Sequence, residues 1–246
     1  MRPATLRILE TMIHCLHGAA GSFQDWEPLH RDLSLPVHAI DLWRFFDNQS
    51  PSLFEAGNTL SQQAEQGDLI LGYSMGGRLA LHALLCEPEK WRGAIIISAH
   101  PGLSENQDER LASDRRWSEL ALHDWPRFLD QWNSQGILKG SLPELRHAPK
   151  EDQSQVARSF LHWSLGTQDN LRPRLAEIIC PVLWLTGQSD SKFTQLAVEC
   201  VPVIPHAQHD ILPGCGHRLP WEAPDLFLSA VETFLATLRI PSSTSS

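Results

Sequence analysis

Asp68-Leu69-Ile70-Leu71-Gly72-Tyr73-Ser74-Met75-Gly76-Gly77-Arg78-Leu79-Ala80-Leu81-His82-Ala83-Leu84-Leu85-Cys86 is the stretch on which the fold turns. Leu69-Ile70-Leu71 is a short apolar run that reads as a buried strand. From Gly77 onward, Leu79, Leu81, Leu84 and Leu85 mark an apolar helical face that stops before Pro88. Between them Gly72-Tyr73-Ser74-Met75-Gly76 has the form G-x-S-x-G. A strand, a sharp turn and a helix in immediate succession force strained backbone angles on the serine. Glycines two residues to either side let neighbouring backbone approach with no Cβ in the way. The stretch predicts a serine hydroxyl held at the tip of a tight turn, the plainer alternative being a capping serine in a glycine-rich loop.

Similar apolar runs recur at Met12-Ile13-His14-Cys15-Leu16, Val37-His38-Ala39-Ile40, Ala94-Ile95-Ile96-Ile97 and Val182-Leu183-Trp184-Leu185, with helix-like segments between them. That alternation predicts a mostly parallel central sheet flanked by helices. From 104 to 166 the pattern changes. No strand is evident there, and Trp117, Leu120, Trp125, Phe128, Leu129 and Trp132 fall at helical spacing. The expected organisation is a core of residues 1–103 and 167–240, a helical cap insertion at 104–166 and a disordered polar tail at 241–246.

Composition narrows the function. The 246 residues carry 20 Lys plus Arg against 29 Asp plus Glu, a net charge of −9, which disfavours nucleic acid as a partner. Sixteen of the basic residues are Arg and four are Lys, a bias suited to fixed carboxylate contacts. The five cysteines are scattered, with no metal-binding spacing. Glu10 interrupts what would be the apolar part of a signal peptide, and no apolar run reaches the ~18 residues of a membrane span. The expectation is a cytoplasmic protein with no membrane insertion and no metal.

A serine hydroxyl needs a base at neutral pH, and the base needs an orienting acid. Gln188-Ser189-Asp190 follows the strand at 181–187, and Pro213-Gly214-Cys215-Gly216-His217 follows a strand-like segment at 210–212. Both lie at the carboxyl ends of strands, where open α/β sheets place their sites. Ser74, Asp190 and His217 therefore form the expected triad, in the chain order of the α/β-hydrolase fold. Asp210 is the rival acid and Asp190 fits better. Leu16-His17-Gly18-Ala19-Ala20-Gly21 follows the first core strand, so the backbone amides of Ala19 and Met75 are the expected oxyanion hole. His17 is expected to shape that loop.

With these motifs the chain resembles the α/β-hydrolase superfamily over essentially its whole length. Three stretches also resemble one member family, the MenH-type 2-succinyl-6-hydroxy-2,4-cyclohexadiene-1-carboxylate synthases of menaquinone and phylloquinone biosynthesis. They are Gly72 to Arg78; Ser98-Ala99-His100-Pro101-Gly102-Leu103 followed by Arg110 and Asp114-Arg115-Arg116-Trp117; and Asp190-Ser191-Lys192-Phe193. These are similar to the family's G-H-P-G-L, D-R-x-W and D-S-K-F. The resemblance implies a lyase that eliminates pyruvate from a tricarboxylate substrate without a cofactor, using the triad to abstract a proton. It also implies that Arg78, Arg115, Arg146 and Lys192 bind the small anionic substrate, while Tyr73 and Trp132 line its pocket. Two departures stand out. Asp41-Leu42-Trp43-Arg44-Phe45-Phe46 replaces the usual D-L-P-G-H-G, and Ser98-Ala99 replaces the usual G-G before His100. The first is expected to alter the pocket mouth and with it substrate preference. A serine hydrolase working through an acyl-enzyme is the alternative activity, and a non-catalytic binding module is a third. Oligomeric state is not legible.

Overall fold

The structure, a computed structural model, describes residues 11–138 and 148–238. Its centre is one six-stranded sheet: β1 (Ile13–Leu16), β2 (Val37–Ile40), β3 (Leu69–Tyr73), β4 (Gly93–Ile97), β5 (Val182–Gly187) and β6 (Ala207–Leu212). The order is β2-β1-β3-β4-β5-β6, and every pairing is parallel. The inner strands β3, β4 and β5 are buried throughout, which explains why they read as continuous apolar runs. The edge strand β6 begins at Ala207, earlier than its apolar residues suggest, because Gln208 and Ile211 are exposed and His209 and Asp210 only half-buried, so the strand spells no continuous apolar run.

Nine α-helices complete the described fold: α1 (Glu27–His30), α2 (Leu53–Gln63), α3 (Met75–Cys86), α4 (Gln107–His123), α5 (Trp125–Asn133), α6 (Gln153–His162), α7 (Ser191–Cys200), α8 (Leu219–Glu222) and α9 (Pro224–Leu238). Side chains alternate across a strand, so the sheet feeds two apolar layers. Ile70, Ala94, Ile96 and Trp184 point to one face, where Leu79 and Leu84 of α3 and Leu60 of α2 cover them. Leu71, Ile95, Ile97 and Leu183 point to the other, against Phe227, Val231 and Phe234 of α9. α2 starts on a reciprocal cap, in which the Ser52 hydroxyl accepts from the Glu55 amide at 3.2 Å and the Glu55 carboxylate accepts from the Ser52 amide at 2.8 Å.

Between β4 and β5 the described residues form only helices and turns. Aromatic rings hold them together: Trp132 meets Trp117 at 5.2 Å and Phe160 at 5.1 Å. This helical segment is tied to the core through the loop after β2. Arg158 of α6 donates to the Phe46 carbonyl, and the Trp163 indole donates to the Pro51 carbonyl at 3.0 Å and packs on Phe46 at 4.7 Å. Trp43 and Phe46 are fully buried, and Arg44 pairs with Asp152. Residues 42–46 line no part of the cavity described below, so the loop expected to alter the pocket mouth instead packs the helical segment onto the sheet. All five cysteines are free thiols. Among the described residues no helix is long and apolar enough to cross a membrane. The tail at 241–246 lies outside the described residues.

Candidate active site

The turn between β3 and α3 has the predicted strain. Ser74 sits at φ 53°, ψ −107°, a region costly for any residue with a Cβ, and its amide is pinned by a 2.8 Å bond to the Ile97 carbonyl. A Cβ at position 72 would stand 2.5 Å from the Gly76 carbonyl oxygen, and one at position 76 would collide with the Leu16 carbonyl. Both glycines are therefore sterically required. The turn is so tight that α3 starts at Met75, two residues before the apolar pattern shows it.

His217, in the loop after β6, reaches the serine. Its Nδ1 lies 2.8 Å from Asp190 Oδ2 and its Nε2 lies 3.1 Å from Ser74 Oγ. Asp190 has no proton to give as a carboxylate, so Nδ1 donates to it and Nε2 is left to accept the serine proton. Asp190 follows β5 and is almost fully buried. Its Oδ2 accepts a second bond from the Ser98 hydroxyl at 2.8 Å. Ser98 stands at φ 44°, a value that suits glycine, the residue the resembling family has there. The chain thus carries local strain and gains a second donor on its acid. Asp210, the rival acid, lies within β6.

The loop after β1 completes the wall. His17 donates from Nδ1 to the Gly18 carbonyl at 2.9 Å and accepts the Leu42 amide on Nε2 at 3.2 Å. Full burial lowers its pKa to about 4, against smaller opposing effects of the Gly18 bond and Asp41. Both ring nitrogens are committed to backbone, so His17 is a neutral bracket for the loop. Ala19 and Met75 both line the cavity beside Ser74, and neither amide has a hydrogen-bond partner among the described residues. Two unspent N–H groups next to a serine can receive an oxygen that gains negative charge.

The cavity over Ser74 has a volume of about 200 Å³. Among the described residues four cations line it, Arg78, Arg110, Lys192 and Arg218, against two carboxylates, Asp25 and Asp114. In a chain of net charge −9 the positive surplus is local to this cavity. Arg78, one helical turn past Ser74, is buried and donates to the Trp163 carbonyl. Burial, then the like charge of Arg110, lowers its pKa to about 9, with Asp114 opposing, so it stays cationic at neutral pH. Burial likewise lowers the pKa of Lys192. His100 accepts the Gly102 amide on Nδ1 at 3.1 Å. Desolvation and then the surrounding cations, Lys192 first, hold its pKa near 3, which keeps it neutral. Among the described residues no group of three His, Cys, Asp or Glu side chains could hold a metal ion.

Of the residues expected at the site, Ser74, Asp190, His217, Ala19, Met75, Arg78, Lys192, Tyr73 and Trp132 are brought together, all but Asp190 on the cavity wall and Asp190 directly behind His217. Arg146 lies outside the described residues. Arg115 is corrected: it is exposed on α4 and lines no part of the cavity. The inward face of α4 carries Arg110 and Asp114, bonded at 2.8 Å. Residue 115 is one step of about 100° further round the helix. The i, i+4 spacing of Arg110 and Asp114 was a usable signal for that face. Ser98 and Arg218 were also missed, though one precedes the A-H-P-G-L run and the other follows His217.

A six-stranded parallel sheet with a strained serine elbow, a histidine and an acid on successive strand ends defines an α/β-hydrolase-type protein. The alpha/beta hydrolase family model matches residues 15–230, and the chain belongs to that family. Within it, the chain is 30% identical over 241 residues to the 2-succinyl-6-hydroxy-2,4-cyclohexadiene-1-carboxylate synthase of Serratia proteamaculans, covering 89% of this chain and 91% of that protein. It is 29% identical over 248 residues to the enzyme of the same name from Pectobacterium atrosepticum, covering 93% and 95%. Among solved structures, MenH from S. aureus superposes with a TM-score of 0.81 at 23% identity, covering 93% of this chain and 94% of that one. A malate-bound thermophilic esterase from Thermogutta terrifontis superposes with a TM-score of 0.74 at 17% identity, covering 94% and 91%. At those identities the two structures speak to fold alone.

Proposed function

We propose that this chain is a lyase that eliminates pyruvate from 2-succinyl-5-enolpyruvyl-6-hydroxy-3-cyclohexene-1-carboxylate, giving 2-succinyl-6-hydroxy-2,4-cyclohexadiene-1-carboxylate for menaquinone or phylloquinone biosynthesis in the cytoplasm. The observation that carries the reading is a serine–histidine–acid chain set beside a surplus of cations. Curated relatives bearing that activity in their names, matched over about nine-tenths of both chains, support it.

In this reading Ser74 Oγ, its proton passed to His217, takes the proton from the ring carbon alpha to the succinyl ketone. The electron pair is held as an enolate by the amides of Ala19 and Met75. It then moves through the ring alkene and expels the enolpyruvyl oxygen. The departing enolate takes up a proton and becomes pyruvate. No water is consumed and no electrons are transferred to a carrier, so the chemistry calls for no cofactor. Asp190 orients the neutral imidazole and stabilises the imidazolium formed. Tyr73 and Trp132 wall the pocket, while Arg78 and Lys192 neutralise carboxylates.

The triad geometry equally suits a nucleophilic serine, and this favours one second reading, a serine hydrolase acting through an acyl-enzyme. Its weakness is the cavity charge, for which a neutral ester has no use. The test pairs two substrates. The lyase reading expects pyruvate from the enolpyruvyl substrate and no burst from a small activated ester; the opposite pair of results replaces it with the hydrolase.

A further inference from the structure

Arg218 has the burial of a core residue and the partners of a binding residue. It follows His217 directly, lines the cavity and is 4% exposed. Its Nη2 donates to Asn133 Oδ1 at 2.6 Å, at the end of α5. The Asn133 amide nitrogen is spent on the Leu129 carbonyl at 2.9 Å, which fixes the oxygen toward the arginine. Nη1 of Arg218 is buried with no hydrogen-bond partner among the described residues.

Among the described residues no carboxylate lies within ion-pair distance of this guanidinium. Glu222, one helical turn on, accepts instead from the backbone amides of Gly216 and Arg218. Of the two described acids on the cavity wall, Asp114 is bound by Arg110 and by the Ser164 hydroxyl, and Asp25 accepts the Ser22 amide. A buried cation with spare donors and no counter-ion is destabilising in the empty protein. Arg110 is already spent on Asp114, so three cavity cations remain without a carboxylate partner among the described residues: Arg78, Lys192 and Arg218.

We propose that Arg218, held by Asn133 at the cavity wall beside His217, binds one carboxylate of a polycarboxylate ligand and so determines specificity from the loop that carries the histidine. The match of three unspent cations to three carboxylates rests on the proposed lyase substrate; the binding role of Arg218 does not require the elimination. The arrangement also links ligand charge to α5, because the same guanidinium holds the end of that helix.

The test is calorimetric titration of propane-1,2,3-tricarboxylate into wild type, Arg218→Met and Arg218→Lys, with the Tm of each protein measured without ligand. The Met variant is expected to bind about tenfold or more weakly, since a charge-assisted bond is lost. The Lys variant, which keeps the charge without the planar fork, falls between. The ligand-free Tm of Arg218→Met is expected at or above that of wild type, because a buried unpaired charge has been removed. Equal affinity in wild type and Arg218→Met, absence of binding by wild type, or weaker binding together with a lower ligand-free Tm overturns the proposal. Pyruvate assays run alongside separate the two readings. An active wild type with an unchanged KM in Arg218→Met refutes Arg218 and spares the lyase; an inactive wild type refutes the lyase, and the titration still decides Arg218.

Discussion

Ser98 offers a perturbation whose two consequences pull in different directions. Its hydroxyl supplies one of the two hydrogen bonds on Asp190 Oδ2, at 2.8 Å, inside a fully buried site, while its backbone sits at φ 44°. Ser98→Ala removes the bond and keeps the strain. A hydrogen bond to a buried carboxylate is worth about 2 kcal/mol, which for a domain of this size lowers Tm by about 4 to 8 °C. Ser98→Gly removes the bond and also releases about 1 kcal/mol of left-handed backbone strain, so it should lose only about half as much. If all of the bond's ~2 kcal/mol falls on the transition state, kcat drops about thirtyfold in both variants, which is the ceiling. KM should hold, because Ser98 does not line the cavity. The assay is steady-state pyruvate release together with thermal melts of the three proteins. A wild-type kcat in Ser98→Ala, or a glycine variant less stable than the alanine variant, would show that the Ser98 hydroxyl does not support Asp190.

Two further outcomes are expected. Arg78→Met should raise KM for the tricarboxylate about tenfold or more, with kcat less affected, as a charge-assisted contact common to ground and transition states is lost; an unchanged KM in the pyruvate assay would place Arg78 outside the substrate contacts. Acid should destabilise the fold partly through His17, whose pKa is held at about 4 against an ordinary 6.5. As pH falls below 6.5 the unfolded chain takes up a proton that the native ring refuses until about 4, so stability declines across that window by about 3 kcal/mol. His17→Gln, with a side chain able both to donate to Gly18 and to accept from Leu42, should flatten that part of the decline in urea titrations at pH 7 and 4.5; identical pH dependence in the two proteins would show that His17 does not contribute.

The sheet was legible because its inner strands are buried on both faces and therefore spell continuous apolar runs; β6, half exposed at an edge, gave only its last residues. The elbow was legible because steric need writes glycine at 72 and 76. Chain order and loop position marked Asp190 and His217, whose contact at 2.8 Å the sequence cannot express. The cations were harder. A helix turns about 100° per residue, so choosing Arg115 over Arg110 reverses which side chain enters the cavity. The loop at 42–46 read as a change in pocket chemistry, yet its aromatic residues serve the packing of the helical segment. Arg218 carried no spacing signal at all, since its meaning depends on Asn133, 85 positions away.

Ser74, relayed to His217 and Asp190, is proposed as the base that starts the elimination. Pyruvate release from the enzymatically generated enolpyruvyl substrate, compared between wild type and Ser74→Ala, tests it most directly. Wild type is expected to release pyruvate, and the variant to lose about a thousandfold or more in kcat. A Ser74→Ala protein that keeps most of the wild-type rate would contradict it.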